Sequence, residues 1–312
     1  MDITQTHEML RSVFLKREGK YLRAVLSDAK ADSFYVDISH QSRKGEIWSK
    51  EQRKYYDALT QLLLNEKSPI FGTVLFKAGY IRIAENVSIL LLYYSHSILD
   101  TIGVNNLIKD ILEDEGHLES DNELFEKRTE RILHGDRSEA LQYWKGVCAD
   151  SRDILKLQRP NGIMKDQKIR IRVTGDAMSR SKVNAFCEKN GVSFASFMHT
   201  LVGRTLIKMS GRETTVFLST CSGRNQEEIR LSGMFAGLFP FRFSAQNGWG
   251  EVQEQLINAQ KHFWLMEDSE MFKEIAGAYE DTIRLDIVED SYGGQKSSGT
   301  NICDINHELK IK

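Results

Sequence analysis

The residues best suited to chemistry in this chain are a histidine and a carboxylate that follow a very apolar run. Residues 87–94 read Val-Ser-Ile-Leu-Leu-Leu-Tyr-Tyr, His96 follows after a serine, and Asp100 lies four residues further on. A continuous apolar run of this length predicts a strand buried on both faces. A histidine at its end would lie on a rigid support, and histidine is the side chain best suited to proton transfer near neutral pH. General acid–base chemistry at His96 is therefore the first hypothesis.

Other chemistries have weaker support. A metal site at His96 and Asp100 has no third ligand in the pattern, so no metal is expected. The four cysteines are scattered without a CxxC pair, which favours free thiols in a reducing compartment. The sequence contains no Gly-x-Ser-x-Gly nucleophile motif and no glycine-rich phosphate loop.

Composition excludes several classes of partner. The 312 residues carry a formal net charge of -2 with both signs interspersed, which gives no electrostatic reason to expect nucleic acid or an acidic membrane surface. The longest apolar stretches are strand-sized, and the first residues lack the features of a signal peptide. We therefore expect a cytoplasmic protein with no nucleic-acid or membrane partner.

The elements that must position His96 mix helices and strands. Apolar residues at helical spacing with a stop before Pro69 predict one helix, and a second is expected after Gly103, where apolar residues recur on one face. A charged stretch over 113–137 is expected to lead into a further helix that contains Tyr143 and Trp144. In chain order the first expected elements are a helix over 49–66, short strands over 72–77 and 80–84, and the strand over 87–94.

A second set of elements follows an expected linker at 159–162, which reads Arg-Pro-Asn-Gly. Both sets have a similar order, so we expect an α/β (α+β) fold of two lobes, 1–160 and 161–312, with His96 near the junction. The expected elements of the second lobe are a strand over 168–173, helices over 178–189 and from Ser193 to Gly211, strands over 215–220 and 234–243, and a helix from 252 to about 266.

Five short motifs occur in a fixed order over residues 6–245. They are Thr6-His7-Glu8-Met9-Leu10-Arg11-Ser12-Val13-Phe14, Ser95-His96-Ser97-Ile98-Leu99-Asp100-Thr101, Tyr143-Trp144, Ser222-Gly223-Arg224 and the run from Gly233 to Arg242. In this order they resemble the motifs of the condensation domains of non-ribosomal peptide synthetases. The resemblance implies a two-lobed chloramphenicol-acetyltransferase-like fold, with the active site between pseudo-symmetric lobes.

Three motif positions depart from the family. Where the family has a histidine, a glycine and an asparagine, this chain has Ser95, Thr101 and Gly237. The chain also begins at the upstream motif and ends early, so the resemblance implies a domain shortened at both ends, with an incomplete C-terminal lobe.

The resemblance implies a role for each remaining motif residue. His96 would orient and deprotonate an attacking amine, or stabilise the charge of the tetrahedral transition state, and both roles stay open. Asp100 would support the active-site loop by pairing with an arginine, and Arg11 and Arg224 occupy the matching positions. Ser95 is expected to form local hydrogen bonds and to fill the space of the missing ring.

The implied function is amide formation between a carrier-bound acyl or peptidyl thioester and a carrier-bound amino acid, in antibiotic or other secondary metabolism. No cofactor would bind directly, because the 4'-phosphopantetheine arms belong to the carrier proteins or neighbouring synthetase domains that are the expected partners. Two alternatives are an acyltransferase that uses acyl-coenzyme A and a catalytically impaired module that binds carrier proteins.

Overall fold

The computed structural model describes two compact units. The first holds residues 1–129 and 226–235, and the second holds 130–225 and 236–312. Within them the described residues are 3–29, 32–41, 48–66, 69–113, 121–149, 177–276 and 283–287. The expected linker at 159–162, the expected strand at 168–173 and a glycine- and serine-rich stretch at 291–299 lie outside these residues.

The compact units divide the chain between Thr129 and Glu130, and the expected lobe boundary at residue 160 stays a prediction. The chain leaves the first unit after Thr129, because Trp144 already packs in the core of the second, where its ring centroid lies 6.1 Å from that of Phe239. The unit boundary follows the packing of the helix that carries Trp144.

The first unit contains a two-stranded hairpin, a three-stranded sheet and helices. In the sheet, β3 is parallel to β4, and β4 is antiparallel to β5. Short 3-10 turns cover Glu8–Arg11 and Ser39–Gln41. The labelled elements are α1 (Ile3–Thr6), β1 (Ser12–Arg17), β2 (Lys20–Val25), β3 (Asp32–Asp37), α2 (Lys50–Asn65), β4 (Phe76–Ala84), β5 (Val87–Tyr94), α3 (Thr101–Glu113) and the first residues of α4 (Asn122–His134).

Helix α2 confirms the expected helix over 49–66 and covers one face of the sheet. Ser49 and Gln52 form a capping box at its start. Gln52 is fully buried, and its Nε2 donates to the carbonyls of Ile38 at 3.1 Å and Ile83 at 2.6 Å. These bonds fix the helix on the sheet whose strand β5 leads to His96.

Strand β4 is continuous, whereas the sequence predicted two short strands on either side of Gly79. The glycine is required by packing and does not interrupt the strand, since a Cβ at this position would lie 2.2 Å from Cζ of Phe34 on β3. The prediction that 72–77 forms a separate strand is therefore wrong.

Strand β5 ends at Tyr94 as predicted, but it is half-buried instead of buried on both faces. Ile89 packs in the cluster under α2, whereas Leu90 is 41% exposed on the opposite face. The apolar run overstated the burial because this face of the sheet is open here: Tyr80, the partner of Leu90 on the central strand β4, is 49% exposed.

The second unit places helices around a sheet in which β6 is antiparallel to β7 and parallel to β8. Its core is aromatic, and the indole Nε1 of Trp144 donates to the carbonyl of His262 at 2.9 Å. A 3-10 turn covers Phe263–Glu267. The labelled elements are α5 (Ser138–Val147), α6 (Ala177–Asn190), α7 (Phe194–Ser210), β6 (Thr214–Cys221), β7 (Gly237–Ser244), α8 (Trp249–His262), α9 (Ser269–Ala276) and β8 (Arg284–Leu285).

Most of these elements confirm the expected ones, and α4 is the main addition. The stretch 113–137 looked charged throughout, but α4 lies within it and buries Phe125 and Arg128. Over the described parts of the chain, we find no helix with the length and apolar character needed to cross a membrane.

Candidate active site

His96 is exposed on a turn that directly follows β5. At the start of the turn, the Ser95 amide donates to the Leu75 carbonyl at 3.0 Å. Within the turn, the Ile98 amide donates to the Ser95 carbonyl at 3.0 Å. Ile98 and Leu99 follow and are 1% and 0% exposed. The backbone on both sides of His96 is thus anchored while its imidazole remains accessible.

Ser95 forms the local hydrogen bonds expected of it. Its Oγ lies 2.7 Å from Oγ of Ser97 and accepts from the Ser97 amide at 3.3 Å. A hydroxyl that accepts from a backbone amide two residues on stabilises a turn. Ser95 therefore supports the turn that carries His96.

Asp100 is the N-cap of α3. Its Oδ1 accepts from the amide of Gly103 at 2.8 Å, and its carbonyl accepts from the amide of Val104 at 2.9 Å. The helix consequently begins at Thr101, three residues before the expected start at Val104. Thr101 is exposed in the first helical position, where the family has a glycine.

The other carboxylate oxygen of Asp100 holds residues that are distant in sequence. Oδ2 accepts from the amide of Phe235 at 2.9 Å, and the Asp100 amide donates to the carbonyl of Gly233 at 3.1 Å. A Cβ at Gly103 would lie 2.8 Å from the amide nitrogen of Gly233, so a side chain at this position would separate the helix from this segment. Asp100 is 3% exposed, as expected for a supporting residue.

Arg11 contacts the hairpin of the first unit. Its Nη1 donates to the carbonyl of Leu26 at 2.8 Å, which ties the start of β1 to the end of the hairpin. This bond holds the guanidinium at the hairpin, and the pairing of Arg11 with Asp100 stays a prediction.

Arg224 is 1% exposed and belongs to the second unit. Its Nη1 donates to the carbonyl of Ser222 at 3.2 Å, and its own carbonyl accepts from Nε2 of Gln260 at 3.1 Å. The pairing of Arg224 with Asp100 stays a prediction.

The upstream motif is buried in the first unit and contributes to its packing. His7 is 3% exposed, and its Nε2 lies 3.0 Å from Oδ2 of Asp110. Burial raises the pKa of the neighbouring Glu8 carboxyl, although its ion pair with Arg23 acts in the opposite direction. His7 thus connects the N-terminal motif to α3, and Glu8 connects it to the hairpin.

The altered position Gly237 has its space filled by an aromatic ring. A Cβ at this position, the first residue of β7, would lie 2.6 Å from Cζ of Phe263. Phe263 is 3% exposed in the core of the second unit. The asparagine of the family therefore has no room here without a movement of Phe263.

His199 is a second histidine of interest, for which the sequence pattern gives no chemical signal. It is 2% exposed on α7, with Nδ1 2.7 Å from the carbonyl of Ala195 and Nε2 2.7 Å from Oγ of Ser219. Since the carbonyl can only accept, Nδ1 carries the hydrogen, and burial lowers the pKa of the imidazole. The neutral ring then accepts from Ser219. Helical spacing of apolar residues around His199 was the only available signal, and it indicates burial, not chemistry.

No metal centre is evident in the parts of the chain that the structure describes. Among them, no group of three or more His, Cys, Asp or Glu side chains is placed to hold an ion. The exposed imidazole on an anchored turn fits proton transfer or charge stabilisation at His96 without further ligands.

A family model described as the condensation domain matches residues 1–269. This match covers most of the chain, so the chain belongs to the condensation-domain family. The family expected from the five motifs is thereby confirmed.

Two fungal proteins are similar in sequence. Both are 23% identical over 229 residues, 72% of this chain: Nonribosomal peptide synthetase 8 of Aspergillus fumigatus and Nonribosomal peptide synthetase sidC of Arthroderma benhamiae. The chain spans only 2% and 4% of the length of these relatives.

Solved condensation domains have the same fold. The first condensation domain of the calcium-dependent antibiotic synthetase aligns with a TM-score of 0.60 at 16% identity, over 91% of this chain and 69% of that one. The starter condensation domain of rhizomide synthetase RzmA aligns with a TM-score of 0.64 at 14% identity, over 90% and 66%. The expected chloramphenicol-acetyltransferase-like α/β fold class is confirmed by these structures.

Proposed function

We propose that this chain catalyses acyl transfer of the condensation type. It would join an acyl or peptidyl group, held as a thioester on one carrier protein, to the amine of an amino acid held on another. Membership of the condensation-domain family and similarity to non-ribosomal peptide synthetases support this class of reaction and carrier proteins as the partners. The phosphopantetheine arms would belong to the carriers.

His96 would act on the attacking amine. The amine nitrogen attacks the thioester carbonyl carbon, its proton leaves to a base, and the C–S bond breaks to release the thiol, which takes up that proton. The imidazole either accepts the proton or stabilises the charge of the tetrahedral intermediate. The observation that carries the proposal is the exposed imidazole on a turn whose backbone is fixed by Leu75 and by the capped helix α3.

A carrier-binding module without catalysis is the second candidate. Two observations favour it: Ser95 replaces a histidine and is engaged with Ser97, and the space at Gly237 is occupied by Phe263. A variant of the first candidate would use an acyl-coenzyme A donor. The RzmA starter domain, which was solved in complex with a CoA derivative, has the same fold and motivates that variant.

The test is amide formation from two loaded carrier proteins by the parent chain, His96→Ala and a matched control, His134→Ala. His134 is also exposed, at the end of α4, with its Nε2 3.9 Å from Oε2 of Glu130. We expect product from the parent and the control and a loss of at least about 100-fold for His96→Ala.

Equal rates for the parent and His96→Ala would rule out the catalytic assignment. If no chain forms product from carriers or from acyl-coenzyme A, and all bind the carriers with equal affinity in titration calorimetry, the binding-module candidate replaces it.

A further inference from the structure

Residues 226–235, called here the anchor segment, are held in the first unit although they connect β6 and β7 of the second. Leu231 and Ser232 are 0% exposed, and Leu231 packs with Ile98 and Leu99 in the same core cluster. The anchor segment is thus part of the packing that lies directly beneath the turn of His96.

A buried ion pair ties the anchor segment to α4. Nη1 of Arg128 lies 2.6 Å from Oε2 of Glu228, and the two side chains are 4% and 5% exposed. Cζ of Arg128 also lies 4.2 Å from the ring centroid of Phe235, at the other end of the segment. Two charged side chains with so little exposure to solvent are strongly held together, because separating them would leave each charge without water or a counter-charge.

A second tie comes from α3. Nδ2 of Asn106 donates to the carbonyl of Ile229 at 3.0 Å and reaches that of Leu231 at 3.4 Å. The anchor segment is consequently bound near its start by Arg128, in its middle by Asn106 and near its end by Asp100.

The end of the segment determines where Asp100 is held. The amide of Phe235 and the carbonyl of Gly233 bind the carboxylate and the amide of Asp100. His96 lies four residues before Asp100, and the intervening Ile98 and Leu99 are buried. A displacement of the anchor segment would therefore move the turn on which the imidazole stands.

We propose that Arg128 and Glu228 are positioning residues for His96. Their ion pair keeps the anchor segment in place, and through Phe235 and Asp100 it sets the orientation of the His96 turn. The effect on turnover rests on the proposed function, whereas the effect on the His96 ring does not.

The test compares Glu228→Gln with a matched control, Glu123→Gln, in the full chain. Glu123 lies on α4, the helix that carries Arg128. Its Oε1 lies 2.7 Å from Nζ of Lys127, and both side chains are exposed. Two quantities are measured: kcat and KM with loaded carriers, and the imidazole NMR signal of His96, assigned by its absence in His96→Ala.

For Glu228→Gln we expect a shifted His96 signal and a kcat about 10- to 100-fold lower, with KM within about two-fold of the parent, because a displacement of about 1 Å in a reacting group costs this much. For Glu123→Gln both quantities should equal those of the parent. Arg128→Lys keeps the charge but loses the fixed geometry of the guanidinium, so it should shift the His96 signal less.

The proposal is overturned if folded Glu228→Gln has the kcat and the His96 signal of the parent. Should Glu228→Gln fail to fold, Arg128→Lys decides in its place, and an unshifted His96 signal there overturns the proposal. If the parent forms no amide at all, the proposed function fails, while the His96 signal still tests the positioning role.

Discussion

The two histidines His96 and His199 differ in almost every physical respect. His96 is exposed on a turn at the end of β5, whereas His199 is 2% exposed within α7 and both of its ring nitrogens have partners. The ring of His199 also lies edge-on to Phe241, with centroids 4.7 Å apart. The buried histidine has bonds that fix its tautomer, and the exposed one has an anchored backbone.

This difference separates a residue that serves structure from one that is able to react. A general base must reach the proton that it removes, and a ring whose nitrogens are both occupied inside an aromatic core does not. Burial also lowers the pKa of His199 and keeps it neutral. We therefore expect substitutions at His199 to change stability and substitutions at His96 to change rate.

The largest stability effect is expected for His199→Ala. The change removes a buried ring and leaves the Ser219 hydroxyl without its acceptor, so the free energy of unfolding should fall by about 3 kcal/mol. Urea denaturation measures this, and an unchanged midpoint would mean that the buried histidine contributes nothing to the core.

The pH dependence of stability gives a control for the same residue. Because the folded state lowers the pKa of His199 from its ordinary value of 6.5, the unfolded chain takes up the proton first as pH falls. The contribution of His199 to stability is thus complete above about pH 6.5 and is lost as pH decreases below it. The parent should lose stability relative to His199→Ala between pH 7 and 5, and parallel curves would contradict the assignment of a neutral ring.

Asp100→Asn should destabilise the first unit and slow the reaction at His96. The carboxylate accepts from two backbone amides, of Gly103 and Phe235, and an asparagine has only one oxygen. The cost should be about 1–3 kcal/mol. Thermal unfolding together with the amide-forming rate checks this, and parent-like values of both would show that the turn does not depend on Asp100.

Gly237→Asn restores the family's residue and should destabilise the second unit by about 1–3 kcal/mol, because its Cβ would overlap the ring of Phe263. Phe263→Leu combined with Gly237→Asn should recover part of this loss, as measured in a double-mutant cycle. Gly250→Ala on α8 is the matched control, since a Cβ there meets nothing within 4 Å. Equal stability of Gly237→Asn and the parent would show that the ring moves freely.

The smallest effect is expected for Ser95→Ala. It removes the bonds to Ser97 on a half-exposed turn, so the loss should be about 0.5–1 kcal/mol. Ser97→Ala should give a similar value by chemical denaturation. A loss several times larger would assign Ser95 a role beyond its local turn.

The sequence predicted the family, most elements and a histidine at the end of β5. These predictions rest on local signals. Ser49 before α2, Gly211 after α7 and the apolar run before His96 are recognisable without tertiary information. The cap at Asp100 followed the same local rule, an acidic residue three positions before Gly103, although the expected helix began later.

The parts that sequence did not predict depend on contacts between distant residues. The pair Arg128–Glu228 joins positions 100 residues apart in charged stretches that look solvated. The need for a glycine at position 79 comes from the ring of Phe34 on the neighbouring strand. Such requirements arise from the tertiary packing and leave no pattern in the local sequence.

The most direct test of the central claim measures two quantities for His96→Ala and His199→Ala: the amide-forming rate per folded molecule and the midpoint of urea unfolding. We expect opposite effects: His96→Ala loses at least about 100-fold in rate at a parent-like midpoint, while His199→Ala loses stability and keeps the rate of its folded fraction. A His96→Ala chain with the parent's rate, or a His199→Ala chain that is stable but inactive, would contradict it.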